Sequence, residues 1–253
     1  MLQNDRYEYE FKLFLKEDEV IDTKNTLKEY VANIFNISND KFKQMDIQFI
    51  DTEVQDFYKN GWILRNRKKE DKEGKIYYEL TYKKRYLLYE GNIDTALKQA
   101  TIDGFKDLSE KFTVEIDWGL ITQTLSISYE ENEPVTNSLN LNLPDIKQLS
   151  AMFLNNAPEI FLKWGETHVQ NSKIYGPVIA KKYKGNWEDT NINIEIWTLD
   201  GYSESIVEIS LEKSQDKNKS LQDYEKLKEF LLKKGWLCEE EISKTLWVLE
   251  HSK

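Results

Sequence analysis

Several segments of this chain alternate with period two, and their polar faces carry charge in pairs. In residues 7–15, YEYEFKLFL, Glu8, Glu10 and Lys12 fall on one face and Tyr7, Tyr9, Phe11 and Leu13 on the other. In WILRNR, Arg65 and Arg67 share a face opposite Leu64. IYYELTYKK places Glu79, Thr81 and Lys83 opposite Tyr78, Leu80 and Tyr82, and KFTVEIDW places Glu115 and Asp117 opposite Val114 and Ile116. An ordinary surface strand mixes Thr, Ser, Lys and Glu on its outer face, whereas here the pairs sort by sign. Side chains at i and i+2 lie about 6.6 Å apart. A carboxylate pair at that spacing can straddle a divalent ion, and an arginine pair can grip neighbouring phosphate oxygens. The opposite faces are so rich in large apolar residues that something must cover them. Amphipathic helices can do so, which leaves a closed barrel with a polar interior.

The remaining patterning supplies those helices. Helical spacing of Leu27, Tyr30, Val31, Ile34 and Phe35 predicts a helix over 23–37 behind a cap at Asp22 or Thr23. A second helix is expected over 94–110. Pro144, at a first helical position, opens a third through Ile146, Leu149, Met152, Phe153 and Leu154, which Pro158 must kink or end. The last contains Leu221, Tyr224, Leu227, Phe230 and Leu231, with Ser220 and Asp223 resembling a capping box and Gly235 as its stop. MDIQFIDT, residues 121–129, NINIEIWTL and SIVEISLEK read as further strands. No linker rich in Pro, Gly or Ser divides the chain, so a single domain over 1–253 is expected.

Composition narrows the chemistry. With 40% hydrophobic residues, 13% aromatics, 10 Gly and 4 Pro, this is a folded globular chain. It has no run of about 18 apolar residues, and its N-terminus, MLQNDRYEYEF, lacks a signal-peptide core, so a cytoplasmic protein without a membrane partner is expected. Cys238 is alone, and with only His168 and His251 beside it no zinc site can be assembled. Any metal must therefore be held by carboxylates, which favours magnesium or manganese. His168 is expected in a loop, and Trp62, Trp118, Trp187, Trp197 and Trp247 at the interface between barrel and helices. The net charge of −10 disfavours nucleic acid as a partner. Yet three of the four arginines, Arg65, Arg67 and Arg85, lie between positions 65 and 85 among six lysines. Two readings of that stretch stand open, a solvated basic face and a local anion site.

The charged pairs also fall into ordered motifs. EYEFK carries Glu8, Glu10 and Lys12 as E-x-E-x-K. IQFIDT followed by FYKNGWILRNR carries Asp51, Gly61, Arg65 and Arg67, and is similar to a Y-F-D-T strand followed by L-x-x-x-G-x-x-L-R-x-R. Leu80 to Lys83 match L-T-x-K, and Glu115 with Asp117 takes the slot of a second acidic strand. VEISLE, with Glu208, resembles a last acidic strand, and ISKT a following basic element at Lys244. On these motifs the chain resembles the CYTH superfamily, the triphosphate tunnel metalloenzymes.

That resemblance implies a β-dominated α+β fold: a closed eight-stranded antiparallel barrel with flanking helices, enclosing a triphosphate and its metal. It implies Glu8, Glu10, Glu115, Asp117 and Glu208 as ligands of Mg2+ or Mn2+, with Glu8, Glu10 and Lys83 catalytic. It implies Lys12, Arg65, Arg67, Lys83, Lys182, Lys184 and Lys244 as substrate-binding cations; Lys181 is nearly as good a choice as Lys182 and Lys184 for the sixth-strand pair. The sequence departs from the family pattern in two places, a longer stretch around 85–112 that reads as an insertion, and Ser210 where an acid is expected beside Glu208. The expected activity is metal-dependent hydrolysis of inorganic tripolyphosphate, thiamine triphosphate or a nucleoside triphosphate. The alternatives are an adenylate cyclase converting ATP to cyclic AMP and a non-catalytic polyphosphate or nucleotide binder. The expected partner is a small-molecule triphosphate, and no oligomeric state follows from the sequence.

Overall fold

The strands of the barrel are β1 (Tyr7–Leu15), β2 (Phe42–Thr52), β3 (Trp62–Glu70), β4 (Ile76–Leu87), β5 (Phe112–Trp118), β6 (Gln123–Pro134), β7 (Ser172–Trp187), β8 (Thr190–Leu199) and β9 (Ile206–Leu211). They are seen in a computed structural model that describes residues 7–106, 111–135 and 142–252. These nine strands close in the order β1-β5-β6-β4-β3-β2-β7-β8-β9. The closed, β-dominated barrel expected from sequence is therefore present, with nine strands in place of eight. An odd number of strands cannot close with every neighbour antiparallel. The one parallel seam is β1 against β5, in the register Glu8↔Glu115 and Glu10↔Asp117.

β7, which holds the Lys182 and Lys184 pair, shows no clean alternation in its GPVIAKKYKGNW portion. The structure gives the cause. The register of β2 against β7 shifts between Ile47 and Phe49, opposite Gly176 at φ 102°, so the buried positions of β7 change phase along the strand.

Helices pack against the barrel. They are α1 (Glu17–Val20), α2 (Glu29–Ile34), α3 (Asp56–Lys59), α4 (Ile93–Ile102), α5 (Ile146–Asn156), α6 (Glu159–Gln170), α7 (Lys217–Lys234) and α8 (Lys244–His251). Phe11, Leu64, Leu80, Tyr82 and Ile116 point outward into one core cluster with Leu149, Phe153, Phe161, Tyr224 and Leu231 from α5, α6 and α7. A second cluster, on the lumen side, joins Met45, Ile47, Phe49 and Ile63 to Val248 and Leu249 of α8.

Several helix boundaries differ from the periodic reading. The helix expected over 23–37 is reduced to α2. Asp22 accepts hydrogen bonds from the N–H groups of Lys24 at 2.9 Å and Thr26 at 3.0 Å, a side-chain turn that competes with helix, and Ile21 bridges to Leu27. The helix expected over 94–110 ends at Ile102 before Gly104 at φ 107°, and residues 107–110 lie outside the described residues. Asp145, not Pro144, starts α5, in a capping box with Gln148, and Pro158 separates α5 from α6. Asp216, not Ser220, caps α7, accepting from the N–H of Lys219 at 3.0 Å, and Gly235 ends it at φ 73°. His168 belongs to α6, not to a loop, and stacks on Trp164 with ring centroids 4.4 Å apart. Among the described residues, no helix is long and apolar enough to cross a membrane.

Gly165 in α6 tests how tightly the outer core is packed. A Cβ there would come within 2.2 Å of the Phe161 ring. That ring is fully buried, with centroids 5.7 Å from Phe57, 5.2 Å from Trp62 and 5.4 Å from Tyr82. Replacing a helical glycine by alanine gains about 1 kcal/mol of propensity, but overpacking a filled core costs about 1–3 kcal/mol. With no room for Phe161 to move, overpacking wins. Gly165→Ala is expected to lower stability by about 1 kcal/mol in urea unfolding, and a gain would show that the ring can shift.

Candidate active site

The inward faces of the strands enclose a cavity of about 300 Å3. β1 sends Glu8, Glu10 and Lys12 into it, and the parallel seam sets Glu8 beside Glu115 and Glu10 beside Asp117. Glu10, Glu115 and Asp117 each present one carboxylate oxygen, and these three oxygens all lie within 4.8 Å of one another.

Such a cluster repels itself, and three lysines offset it. Lys12 Nζ lies 2.7 Å from Asp117 Oδ1 and 2.9 Å from Glu10 Oε2. Lys83 Nζ lies 3.2 Å from Asp117 and 3.4 Å from Glu115. Lys213, just beyond β9, pairs with Glu115 and approaches Glu10 at 3.9 Å. The Ser126 hydroxyl donates to Asp117. Burial pushes the Asp117 carboxyl up, but Lys12, Lys83 and Arg85 outweigh it and hold the group well below the usual carboxylate range. Glu115 is lowered in the same way, with Lys83 and Lys213 overcoming burial. Burial pushes Lys12 down, but Asp117, Glu10 and Glu208 hold it well above an ordinary lysine. For Lys83 burial prevails over Asp117 and Glu115, and its ammonium is lowered.

As a donor set, these three carboxylates fit a hard divalent ion: all oxygen, close enough for one ion to touch, and lowered in pKa so that two of them stay ionised. Glu8 lines the same cavity outside this cluster. Glu208 also lies apart from it, and the reason is its register. It faces Glu195 across β8 and β9, and the two acids share Lys244, whose Nζ is 2.7 Å from Glu208 and 3.1 Å from Glu195. Lys182 holds Glu195 at 3.1 Å. The Trp197 indole N–H donates to Glu195 at 3.1 Å, and Lys244 sits 4.5 Å above the Trp197 ring. Trp197 thus lines the lumen while also packing in the cluster that holds Val248 and Leu249 of α8, the helix interface expected for it. Burial pushes Glu195 up, yet Lys244 and Lys182 hold it well below the carboxylate range. Ser210 is buried, with Lys12 and Asn193 as its register partners.

The arginines differ from one another. Arg67 pairs with Glu79 and lies 3.2 Å from Glu130. Among the described residues Arg65 reaches only the Thr81 hydroxyl, at 3.5 Å, and burial together with Arg67 lowers its guanidinium to about 10. The structure gathers Glu8, Glu10, Lys12, Arg65, Arg67, Lys83, Glu115, Lys182, Glu208 and Lys244 around the cavity, with Asp117 beside it. Lys184 is not gathered: it is exposed near the end of β7. Asp51 is structural, accepting the N–H groups of Phe57 at 2.8 Å and Tyr58 at 2.9 Å and so starting α3.

Three lumen residues had no role in the sequence reading, and a fourth, Arg85, entered it only as part of the basic stretch. Glu195 was legible, since Asn193 and Glu195 alternate with Ile192, Ile194 and Ile196. Glu130 follows Ser126 and Ser128, and Arg85 follows Lys83, by the same rule. Lys213 had no such signal; it comes inward because the chain after β9 bridges Ser214 to Tyr9.

Glu195 gives a stability test with a defined pH dependence. Its folded pKa is depressed, so its contribution is complete above its unfolded pKa of about 4.3 and is lost as pH falls through the lower folded value. Glu195→Gln leaves Lys182 and Lys244 short of a partner and is expected to cost about 3 kcal/mol at pH 7. In guanidinium unfolding that deficit should shrink at pH 3; an equal deficit at both pH values contradicts the assignment.

No protein-family model matches the sequence, and no curated protein matches it. Among solved structures, the chain is similar to a candidate adenylyl cyclase from Hippeastrum described as having a dominant triphosphatase activity. The TM-score is 0.53 at 14% identity, covering 96% of this chain and 96% of that one. A candidate adenylate cyclase from Bacillus halodurans gives 0.47 at 11% identity over 96% and 95% of the two chains. A Pyrococcus horikoshii protein gives 0.44 at 16% identity over 95% and 98%. The first likeness runs over nearly all of both chains and shows a shared fold.

Proposed function

We propose that this chain, a barrel of CYTH-like triphosphate-tunnel fold, is a metal-dependent triphosphate hydrolase. The observation that carries the reading is the three-carboxylate cluster of Glu10, Glu115 and Asp117 in one lumen with Arg65, a guanidinium that has no carboxylate within ion-pair distance among the described residues. Acids placed to hold a metal beside a cation left without an acid are what a metal-bound polyanion requires.

Glu10, Glu115 and Asp117 would hold magnesium or manganese, which supplies charge neutralisation and polarisation of the phosphoryl oxygens. Arg65 binds phosphate oxygens through its planar fork, with the Thr81 hydroxyl orienting it. Lys83 of β4 and Lys182 of β7 contribute ammonium groups to the phosphate chain. Glu8, in the lumen but outside the carboxylate cluster, accepts the proton of the attacking water. The barrel wall excludes bulk water, so each of these charges acts at lower dielectric than in solution. The triphosphatase activity described for the Hippeastrum protein supports hydrolysis over cyclisation.

Purified protein with magnesium or manganese is expected to release phosphate from at least one of inorganic tripolyphosphate, thiamine triphosphate and ATP. Glu115→Gln should lower the rate by about 100-fold or more, with chromatography identifying the product. Absence of turnover across the whole panel overturns the hydrolase reading, and cyclic AMP as the product from ATP replaces it with a cyclase. Tight tripolyphosphate binding without turnover would instead fit the non-catalytic reading, which Ser210 favours by standing where the resemblance expects an acid.

A further inference from the structure

Arg85 borders two cavities. One is the polar lumen, and the other is a cavity of about 500 Å3 lined by Phe14, Trp62, Leu87, Ile242 and Leu246 among others. Lys12, Glu208 and Lys244 also border both, so the two spaces meet at Arg85. The Arg85 side chain forms no ion pair among the described residues, and its buried Nε, like those of Arg65 and Arg67, has no hydrogen-bond partner. Arg67 stands in a different state, since Glu79 and Glu130 already neutralise it. A guanidinium on a cavity wall with no carboxylate at ion-pair distance is free to take an external anion, and its geometry favours phosphate.

Two features fix where Arg85 acts. It lies two residues beyond Lys83 and four beyond Thr81, the residue that Arg65 contacts, so these groups follow one another along the inward face of β4 over about 13 Å. Its backbone is clamped by Gly61. The Arg85 N–H donates to the Gly61 carbonyl at 2.8 Å, and a Cβ on Gly61, which has φ +70°, would stand 2.8 Å from the Arg85 carbonyl oxygen. The glycine before the L-R-x-R motif thus allows the close approach that seats Arg85.

We propose that Arg85 is a phosphate-binding residue. With Arg65 it forms a two-arginine grip on the polyphosphate chain, Arg85 taking the phosphoryl group at the end facing the second cavity. Arg67 serves the barrel wall through Glu79 and Glu130. The assignment rests on the triphosphate reading.

Titration calorimetry of the full chain with inorganic tripolyphosphate, in buffer freed of divalent metal by a chelator, separates the two. Arg65→Ala and Arg85→Ala are each expected to weaken binding by about tenfold or more, with thermal midpoints near wild type. Arg67→Ala should weaken it less while lowering the midpoint more. Arg85→Lys, which keeps the charge and the stem but loses the fork, guards against misfolding and should still weaken binding measurably. If Arg65→Ala weakens binding while Arg85→Ala and Arg85→Lys bind as wild type does, the Arg85 assignment is overturned and the triphosphate reading stands. A larger loss from Arg67→Ala than from Arg85→Ala also overturns it. If wild type does not bind tripolyphosphate, the triphosphate reading falls first and takes the assignment with it.

Discussion

The parallel seam between β1 and β5 sets the terms for the rest of the site. It brings Glu8 level with Glu115 and Glu10 level with Asp117 at adjacent-strand spacing. Carboxylates forced together inside a barrel either protonate or acquire cations. Here they acquire Lys12, Lys83 and Lys213, and Asp117 and Glu115 stay lowered in pKa despite their burial. The acid and base pairs of the lumen are thus one electrostatic unit. Removing a single member leaves an uncompensated charge where water cannot easily reach it.

The balance has consequences for what enters. With three ammonium groups around three carboxylates, a divalent ion must compete with lysines for the same oxygens. The three lysines are not equally committed. The side chains of Lys12 and Lys83 are 19% and 12% exposed, whereas that of Lys213 is 41% exposed and stands on a segment outside the strands. Lys213 can return its ammonium to water at least cost while its stem stays on the barrel wall. On β8 and β9, Glu195 and Glu208 are occupied by Lys182 and Lys244. That leaves Arg65 and Arg85 as lumen guanidinium groups without an acid partner among the described residues. The net charge of −10 says nothing of this, because it sums over the whole chain and not over the lumen.

Much of the site was legible because strands obey a strict rule. Wherever period two holds without interruption, as in β1, β3, β4 and β5, the inward residues could be named from their order alone. Helix ends were less legible. Asp22 could equally cap a helix or close a turn, and only its contacts with the N–H groups of Lys24 and Thr26 decide for the turn. Lys184 shows how the rule fails at a strand end. It shares the parity of Lys182, but near the end of β7 that side is solvent and not lumen.

The sequence by itself determined that charged strand faces had to be enclosed and apolar faces covered, and so determined a polar-lined barrel and most of the side chains within it. These follow from alternation and the hydrophobic effect, which act residue by residue. Tertiary structure alone decided that nine strands and not eight close the barrel, the phase change along β7 at Gly176, and the parallel seam that an odd strand number requires. It alone decided which acids meet which cations: Glu208 goes to Glu195 and Lys244, Lys213 joins the carboxylate cluster, and Arg67 is neutralised while Arg85 is not. Those outcomes depend on register and stagger between strands distant in sequence, and charge pairing falls off over a few ångströms, so no local pattern could have specified them.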